Sequence, residues 1–428
     1  MNGQDRRKFL GQSLAIATVT SAGQVSRGSS NAGEEIRIGI IGNGGRAGNL
    51  KAELQQRQDA RIIWIAEVNE DRKQDKAVKH TGDFRNVLDD PAVDAVVIAT
   101  PDHWHAPAAI LACEAGKHVY VEKPCSHTVR EGRLLIEAAE RNKTVVQHGT
   151  QVRSTDMMIE AIELLRSGII GDVKVAKCWN VQRRANIGKQ QPGKVPDNLD
   201  YENWVGPAEW LPYQQNRVNS GWHWFYPYGT GDMGNDGVHD IDYARWGLGV
   251  TAHPNRIAAV GGKYFFDDDQ QFPDTQHVLF EYDGDGGFGN QKTLIYEQRL
   301  WSTNYPHHTD SGAEFYGTEG QMYLSRRGKI EVLGSRNVKR DVSVTPEGQN
   351  TRKHIANWLD CIRSGNRPNA DIQKGHLTSS LCHLGNIAVR AGRGFEFDPK
   401  AEQIINEPDA NRLLTKQYRE HWGRPKAV

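Results

Sequence analysis

The run Ile36-Arg37-Ile38-Gly39-Ile40-Ile41 leads directly into Gly42-Asn43-Gly44-Gly45-Arg46-Ala47-Gly48. A short β-branched stretch, then Gly-x-Gly-x-x-Ala, then a polar segment to Gln56 predicts a strand, a tight turn and a helix in immediate succession. In that context each small residue has a task. Gly42 allows the turn, Gly44 lets the backbone approach a pyrophosphate, and Ala47 lets the helix pack on the strand, with Asn43, Gly45 and Arg46 completing a loop whose helix N-terminus faces the phosphates. A second predicted strand, Arg61 to Ala66, ends in Glu67. This acidic residue stands about twenty residues beyond the glycines, where a carboxylate binds ribose hydroxyls and repels a ribose phosphate. The pattern predicts a dinucleotide site that prefers NAD to NADP, with Arg46 and Arg72 as the opposing signal.

The following segments repeat the plan. Val93 to Thr100 is a nearly continuous apolar strand, as a parallel strand covered on both faces requires, and it ends in Thr100-Pro101-Asp102-His103-Trp104-His105. A helix from Ala106 to Ala115, a strand from His118 to Val121, the triplet Glu122-Lys123-Pro124, a helix from Val129 to Arg141 and a strand from Thr144 to His148 follow. Alternation of this kind predicts an α/β fold with a doubly wound parallel sheet, a Rossmann domain over residues 34–150. After Gln151 the pattern changes to a helix at Met157 to Arg166 and long alternating strands at Val173–Gln182, Arg256–Phe265, Gln276–Tyr282, Lys292–Leu300 and Gly312–Tyr316. These predict an α+β domain over residues 151–428, with a large open, mostly antiparallel sheet and a helical C-terminal part that wraps over the rest.

Residues 1–33 read differently. Asp5-Arg6-Arg7-Lys8-Phe9-Leu10 precedes a modest apolar stretch, Ser13 to Ala22, too short to span a bilayer, and then a Ser/Gly/Asn leader. This resembles a twin-arginine export signal, which implies a periplasmic protein exported already folded by that machinery. Five cysteines without metal-ligand spacing do not make a disulfide framework. Fifty-three basic residues against 53 acidic ones exclude the electrostatic footprint of a nucleic-acid or anionic-membrane binder.

Several motifs occur together in the order of one family: Gly42 to Gly48, Thr100 to His105, Glu122-Lys123-Pro124, Tyr201 to Ala208, Gly231 to Asp242, and Phe315 to Gly320. The chain resembles the glucose–fructose oxidoreductase, inositol dehydrogenase and rhizopine catabolism protein family (Gfo/Idh/MocA). The resemblance implies an NAD-dependent oxidoreductase acting on a hydroxyl of a sugar, glycoside or polyol, in a homo-oligomer, dimer or tetramer. It places Lys123 at the reacting hydroxyl, Thr100, Pro101, His103, His105 and Glu122 at the cofactor, and a cis bond before Pro124. In the family's catalytic helix the pattern is Asp-x-x-x-His; here it is Asn235 and His239. Asn235 can orient a hydroxyl or His239 but cannot act as a base, which shifts that role to His239 with Asp236 or Asp232 as substitutes. A carboxylate at 235, as in Asn235→Asp, should then be tolerated.

For the substrate, Trp222, Trp224 and Tyr228 offer apolar faces to sugar C–H groups with polar tips, and Arg153, Arg183 and Arg184 lie near the domain junction. No metal is expected: His103-x-His105 at a strand end lacks partner spacing. Two rival functions share these residues. One is a redox-neutral glycoside-cleaving enzyme, in which transient oxidation acidifies a neighbouring C–H and permits elimination; the other is a non-catalytic sugar-binding relative. Because export separates the protein from the soluble NAD pool, the cofactor should be loaded beforehand and stay bound.

Overall fold

The computed structural model describes residues 35–73 and 77–419. The export reading at Arg6 and Arg7 lies outside the described residues.

The N-terminal unit is built from β1 (Ile36–Ile41), α1 (Gly45–Gln55), β2 (Ala60–Ala66), β3 (Lys79–Thr81), α2 (Arg85–Asp89), β4 (Ala95–Ile98), α3 (Asp102–Glu114), β5 (His118–Val121), α4 (Val129–Asn142) and β6 (Val146–His148). Its six strands are all parallel in the order β3-β2-β1-β4-β5-β6. The order reverses between β1 and β4, so the crevice at their C-terminal ends is where an open α/β sheet holds a ligand. Gly42 sits there with φ +83°, and a Cβ on it would lie 2.9 Å from the Ala99 carbonyl oxygen at the end of β4. Helix α4 starts with a complete capping box between Thr128 and Glu131.

The second unit comprises α5 (Asp156–Arg166), β7 (Val173–Asn180), α6 (Tyr201–Val205), α7 (Val238–Leu248), β8 (Arg256–Gly262), β9 (Thr275–Tyr282), β10 (Lys292–Arg299), β11 (Ser311–Gly317), β12 (Gly320–Ser325), β13 (Lys329–Gly334), β14 (Lys339–Arg340), α8 (Thr351–Ser364), α9 (Ile372–Ala391), β15 (Phe395–Asp398), β16 (Gln403–Ile404) and α10 (Pro408–Asn411). Its ten strands run β14-β13-β12-β11-β7-β10-β9-β8-β15-β16. Every neighbouring pair is antiparallel except β7 and β10. The fold is therefore a Rossmann parallel sheet joined to an α+β domain with a mixed, mostly antiparallel sheet. One sheet face buries Ala176, Phe280, Leu294 and Phe315 against Met158 and Ile162 of α5, Ile241 of α7 and Leu384 of α9.

Three local differences from the sequence reading have physical causes. Strand β8 stops at Gly262, because the Asp274 carboxylate accepts the backbone N–H groups of Tyr264, Phe265 and Phe266 that a longer strand would pair with a neighbour. Helix α3 begins at Asp102, capped by the extended backbone of Pro101, so His103 and His105 occupy a helical first turn and not a strand end. Helix α8 packs on the N-terminal sheet, where Ile355, Trp358 and Leu359 share a core with Ile38, Ile40, Leu50 and Tyr120. Residues 34–150 thus cover only part of their own sheet, and the C-terminal part supplies the rest.

The last described residues cross back over α4. Lys416 Nζ stands 2.9 Å from Glu131 Oε1, the Tyr418 hydroxyl donates to the same carboxylate at 2.6 Å, and Arg419 N donates to the Pro207 carbonyl. Among the described residues, no helix is long and apolar enough to cross a membrane.

Candidate active site

A cavity of about 520 Å³ opens at the C-terminal ends of β1 and β4, within the ~300–1,000 Å³ range of small-molecule and cofactor sites. Gly42, Gly44, Gly45, Arg46, Glu67, Thr100, Pro101, His105, Glu122 and Lys123 line one side. The other side comes from the second unit: Leu199, Asn203, Trp204, Val218, Asn219, Ser220, Trp222, His223 and Asn235.

The Rossmann side fits a dinucleotide. A Cβ on Gly45 would meet nothing within 4 Å, and one on Gly44 only Arg72 Nη1 at 3.6 Å, so the loop presents bare backbone to the cavity. The Glu67 carboxylate accepts from Asn43 N at 2.7 Å and from Asn69 N at 2.9 Å, fixing the loop and the end of β2 together. Asn43 and Ala47 do not line the cavity; Asn43 Nδ2 donates to the Arg72 carbonyl, and Ala47 is buried in the core under β1. Arg46 Nε lies 2.6 Å from Glu122 Oε1, while its buried Nη2 has no partner. Burial alone would raise the Glu122 carboxyl, but Arg46 and Lys123 beside it hold it below the usual range. Thr100 Oγ1 and His223 Nδ1 are likewise buried and unpartnered. Three unsatisfied polar atoms on cavity-lining residues are what a site awaiting a polar ligand should show.

Next to Glu122, a cis Lys123–Pro124 bond follows β5. Lys123 Nζ donates to the Asn235 carbonyl at 2.5 Å and to Asn235 Oδ1 at 3.1 Å. His105 ties this loop to β4, with Nδ1 2.6 Å from the Pro124 carbonyl oxygen and Nε2 2.9 Å from that of Thr100. Asn235 lies in a π-helical turn, Met233–Gly237, that runs into α7. Such turns recur at functional sites because the added residue re-aims side chains. Asn235 Nδ2 donates to Asp232 Oδ1 at 3.0 Å. Asp232 is in turn gripped by Asn180 and Arg184. Asp232 is thus a buried ion-pair partner and not a spare base.

His239 is almost fully buried, and its Nδ1 has no hydrogen-bond partner. Burial, reinforced by the Arg326 and Lys123 charges, holds its pKa well below the ordinary histidine value. It is therefore a neutral imidazole at pH 7, but it does not line the cavity as Asn235 does. Asp236 is also outside the lining. Although burial pushes its carboxyl up, the guanidiniums of Arg326 and Arg184 hold it low, with Arg326 Nη2 3.0 Å from Oδ1 and Arg184 paired to Oδ2.

The remaining candidates go elsewhere. His103, read from sequence as a cofactor residue, is fully buried, with Nε2 2.9 Å from the Trp204 carbonyl and Nδ1 3.3 Å from that of Tyr228. Arg153 forms a buried ion pair with Asp242 at 2.8 Å and stacks on Trp246, so it holds α7 and is not free for a substrate. Arg183 is exposed and does not line this cavity, whereas its neighbour Arg184 points inward. Trp224 and Tyr228 are core residues, and of the three aromatics read as substrate contacts only Trp222 reaches the cavity. Sequence reasoning missed Asn219 and Arg326, which stand on connecting segments with no motif to flag them, and gave His223 no role of its own within the aromatic run from Trp222 to Tyr228.

Outside the cavity, His253 Nε2 and His376 Nε2 approach Glu402 Oε1 at 2.9 and 2.8 Å, a grouping that could hold a metal. Arg133 also pairs with Glu402, so these donors already satisfy the carboxylate.

Two family models match the chain: an oxidoreductase family NAD-binding Rossmann fold over residues 36–150, and an oxidoreductase family C-terminal alpha/beta domain over residues 167–424. Levoglucosan dehydrogenase of Pseudarthrobacter phenanthrenivorans is 31% identical over 157 residues, 33% of this chain and 39% of that protein. Glycosyl hydrolase family 109 protein 2 of Shewanella sp. (strain ANA-3) is 29% identical over 208 residues, 40% of this chain and 45% of that protein. The chain thus spans less than half the length of these curated relatives. The crystal structure of aldose-aldose oxidoreductase from Caulobacter crescentus, complexed with glycerol, superposes with a TM-score of 0.64 at 18% identity, covering 85% of this chain and all of that one. With both halves matched in order, the chain belongs to the Gfo/Idh/MocA oxidoreductase family.

Proposed function

We propose that this protein is an NAD-dependent oxidoreductase that oxidises or reduces a hydroxyl of a sugar, glycoside or polyol. The carrying observation is that Lys123 Nζ, held by Asn235, and the Gly42–Arg46 loop with Glu67 line one cavity. A bound nicotinamide supplies hydride acceptance and return. Lys123 Nζ binds the reacting hydroxyl, and Asn235 orients Lys123. The neutral His239 imidazole, which does not itself line the cavity, takes the hydroxyl proton through Lys123. His223 Nδ1 and the Trp222 ring bind the rest of the substrate. Glu67, at the end of β2, favours NAD over NADP, against the charge of Arg72 nearby.

A second reading, redox-neutral glycoside cleavage, uses the same groups. Oxidation at one ring carbon acidifies the adjacent C–H, the leaving group is eliminated, water adds, and the hydride returns to the ring. Its support is the 29% identity to a protein named as a glycosyl hydrolase. The twin-arginine resemblance at Arg6 and Arg7 supports a periplasmic location and export in the folded state.

The deciding experiment incubates NAD-loaded protein with a panel of polyols, sugars and glycosides and follows products by mass spectrometry. Loss of two hydrogens supports the dehydrogenase, and release of an aglycone without net cofactor reduction supports the second reading. In either case Lys123→Ala should lower turnover by about 10²–10⁴-fold. Near-wild-type turnover in that variant would remove Lys123 from the mechanism.

A further inference from the structure

The open side of the dinucleotide cavity is crossed by a segment of the other unit. After β2 and Glu67 the chain passes through Val68, Asn69, Glu70, Asp71 and Arg72. A strand-like piece around Leu199 pairs with it: Asn69 and Leu199 form an antiparallel bridge. Glu70 N donates to the Asn198 carbonyl and Asp200 N donates to the Val68 carbonyl, both at 2.9 Å. Asn198 Nδ2 adds a bond to Asp71. A second tie lies farther along. Arg72 stands over Gly44, with Nη1 3.6 Å from where a Cβ would be, and its Nη2 donates to Asn219 Oδ1 at 3.1 Å. Asn219 has φ +58°, a left-handed turn conformation that aims it across the cavity.

The crossing segment is itself anchored. Asp269 accepts from Gln190 N, Gln214 Nε2 and Asn216 Nδ2. Tyr201, Trp204 and Tyr228 bury it in an aromatic cluster against which Val68 and Leu199 pack from either side of the bridge. The backbone ladder and the Arg72–Asn219 bond therefore close a band over the cavity between the two units. A ligand reaching from the Gly42–Arg46 loop to Glu67 lies inside that band.

We infer that the 198–219 segment is a cofactor clasp, which makes the dinucleotide a retained group and not an exchanging cosubstrate. This rests on the proposed dinucleotide reading of the cavity and deepens it. Release of nucleotide requires the Arg72–Asn219 bond and the pairing around Leu199 to part, so dissociation is limited by opening of the band and not by the contacts of the nucleotide alone. Turnover must then return the electrons within the bound complex, to a second substrate carbonyl or to an intermediate of the first.

The test is the exchange rate of bound nucleotide. Purified holoprotein loaded with unlabelled NAD is mixed with excess isotopically labelled NAD, separated by gel filtration at intervals, denatured and assayed for label. Wild type should retain stoichiometric nucleotide through gel filtration and exchange it over many minutes. Asn219→Ala and Asn198→Ala should each speed exchange about three- to tenfold, the factor one lost hydrogen bond carries. Apoprotein melting temperatures identify any variant that fails to fold, and the other variant then decides. Exchange in seconds by wild type, or unchanged exchange in a folded variant, would overturn the clasp while leaving the dinucleotide site standing. Failure of wild type to bind NAD or NADP at all would overturn both.

Discussion

Asn235 shows how much one residue's neighbours decide. Read as a sequence, an asparagine in place of the family aspartate looks like a lost base, and a return to Asp looks harmless. The structure corrects this: the Asn235 Oδ1 faces Lys123, but its Nδ2 donates to Asp232 Oδ1 at 3.0 Å, and Asp232 is fully engaged with Asn180 and Arg184. A carboxylate at 235 would keep the first contact and turn the second into a repulsion between two acids in a mostly buried setting. Asn235→Asp is therefore expected to lose stability by about 1–3 kcal/mol, the cost of an unsatisfied buried acceptor pair. It should also lower turnover, because the repulsion from Asp232 shifts the π-helical turn whose residue 235 holds Lys123. Thermal unfolding and single-turnover rates check this, and a variant as stable and active as wild type would show that the Asp232 contact is not structural. The same dependence on neighbours explains Arg153 and Arg184. They are alike in the sequence, yet one is locked under Trp246 by Asp242 and the other reaches the π-helical turn.

At the scale of elements, α8 carries the least expected role, since a helix about two hundred residues beyond the Rossmann strands supplies part of their cover. Trp358 is fully buried and meets Tyr120 of β5 edge-on, with ring centroids 5.7 Å apart. Trp358→Ala should cost about 3–5 kcal/mol. The loss should appear in the nucleotide-binding unit, as lowered hydrogen-exchange protection in β1 and β5, with the ten-stranded sheet protected as before. Loss confined to the second sheet would contradict the packing. The elements themselves were largely legible from sequence, because parallel strands are continuous apolar runs and the Gly42–Ala47 loop has a steric code. Strand ends and partners were not. β8 ends where a distant carboxylate, Asp274, intercepts its N–H groups, and α8 shows the ordinary pattern of any amphipathic helix, which names a buried face but not what covers it. The site divides the same way: Gly42, Glu67, Lys123 and Asn235 come from motifs with local geometry, whereas His223 and Asn219 are brought in by connecting segments.

The whole molecule has an acid limit set by its histidines. Burial lowers the pKa of His103, His148 and His383 to about 3. It lowers that of His354 and His376 to about 4. His127, His223 and His239 are also held well below the ordinary value, again chiefly by burial. In the unfolded chain each of these eight side chains takes up a proton near pH 6.5, whereas in the fold it stays neutral. The unfolded state thus binds more protons as pH falls below about 6.5, and stability, fully present above that value, is lost until the native pKa values are reached. Two carboxyls oppose this. Burial raises Asp240 to about 7 and raises Asp102 as well, so their contribution is present at low pH and lost as pH rises. The histidines outnumber these two carboxyls, so on balance unfolding takes up protons below about pH 6.5 and stability falls with pH there. The melting temperature should therefore be nearly flat between about pH 8 and 7 and fall steeply below about 6.5, before ordinary carboxylates begin to protonate. Calorimetry across that range, in buffers of different ionisation enthalpy, reads both the fall and the number of protons taken up. A melting temperature that holds or rises from pH 6.5 to 5 would mean that these imidazoles are charged in the fold, and with them His239, whose proton-accepting role requires it to be neutral.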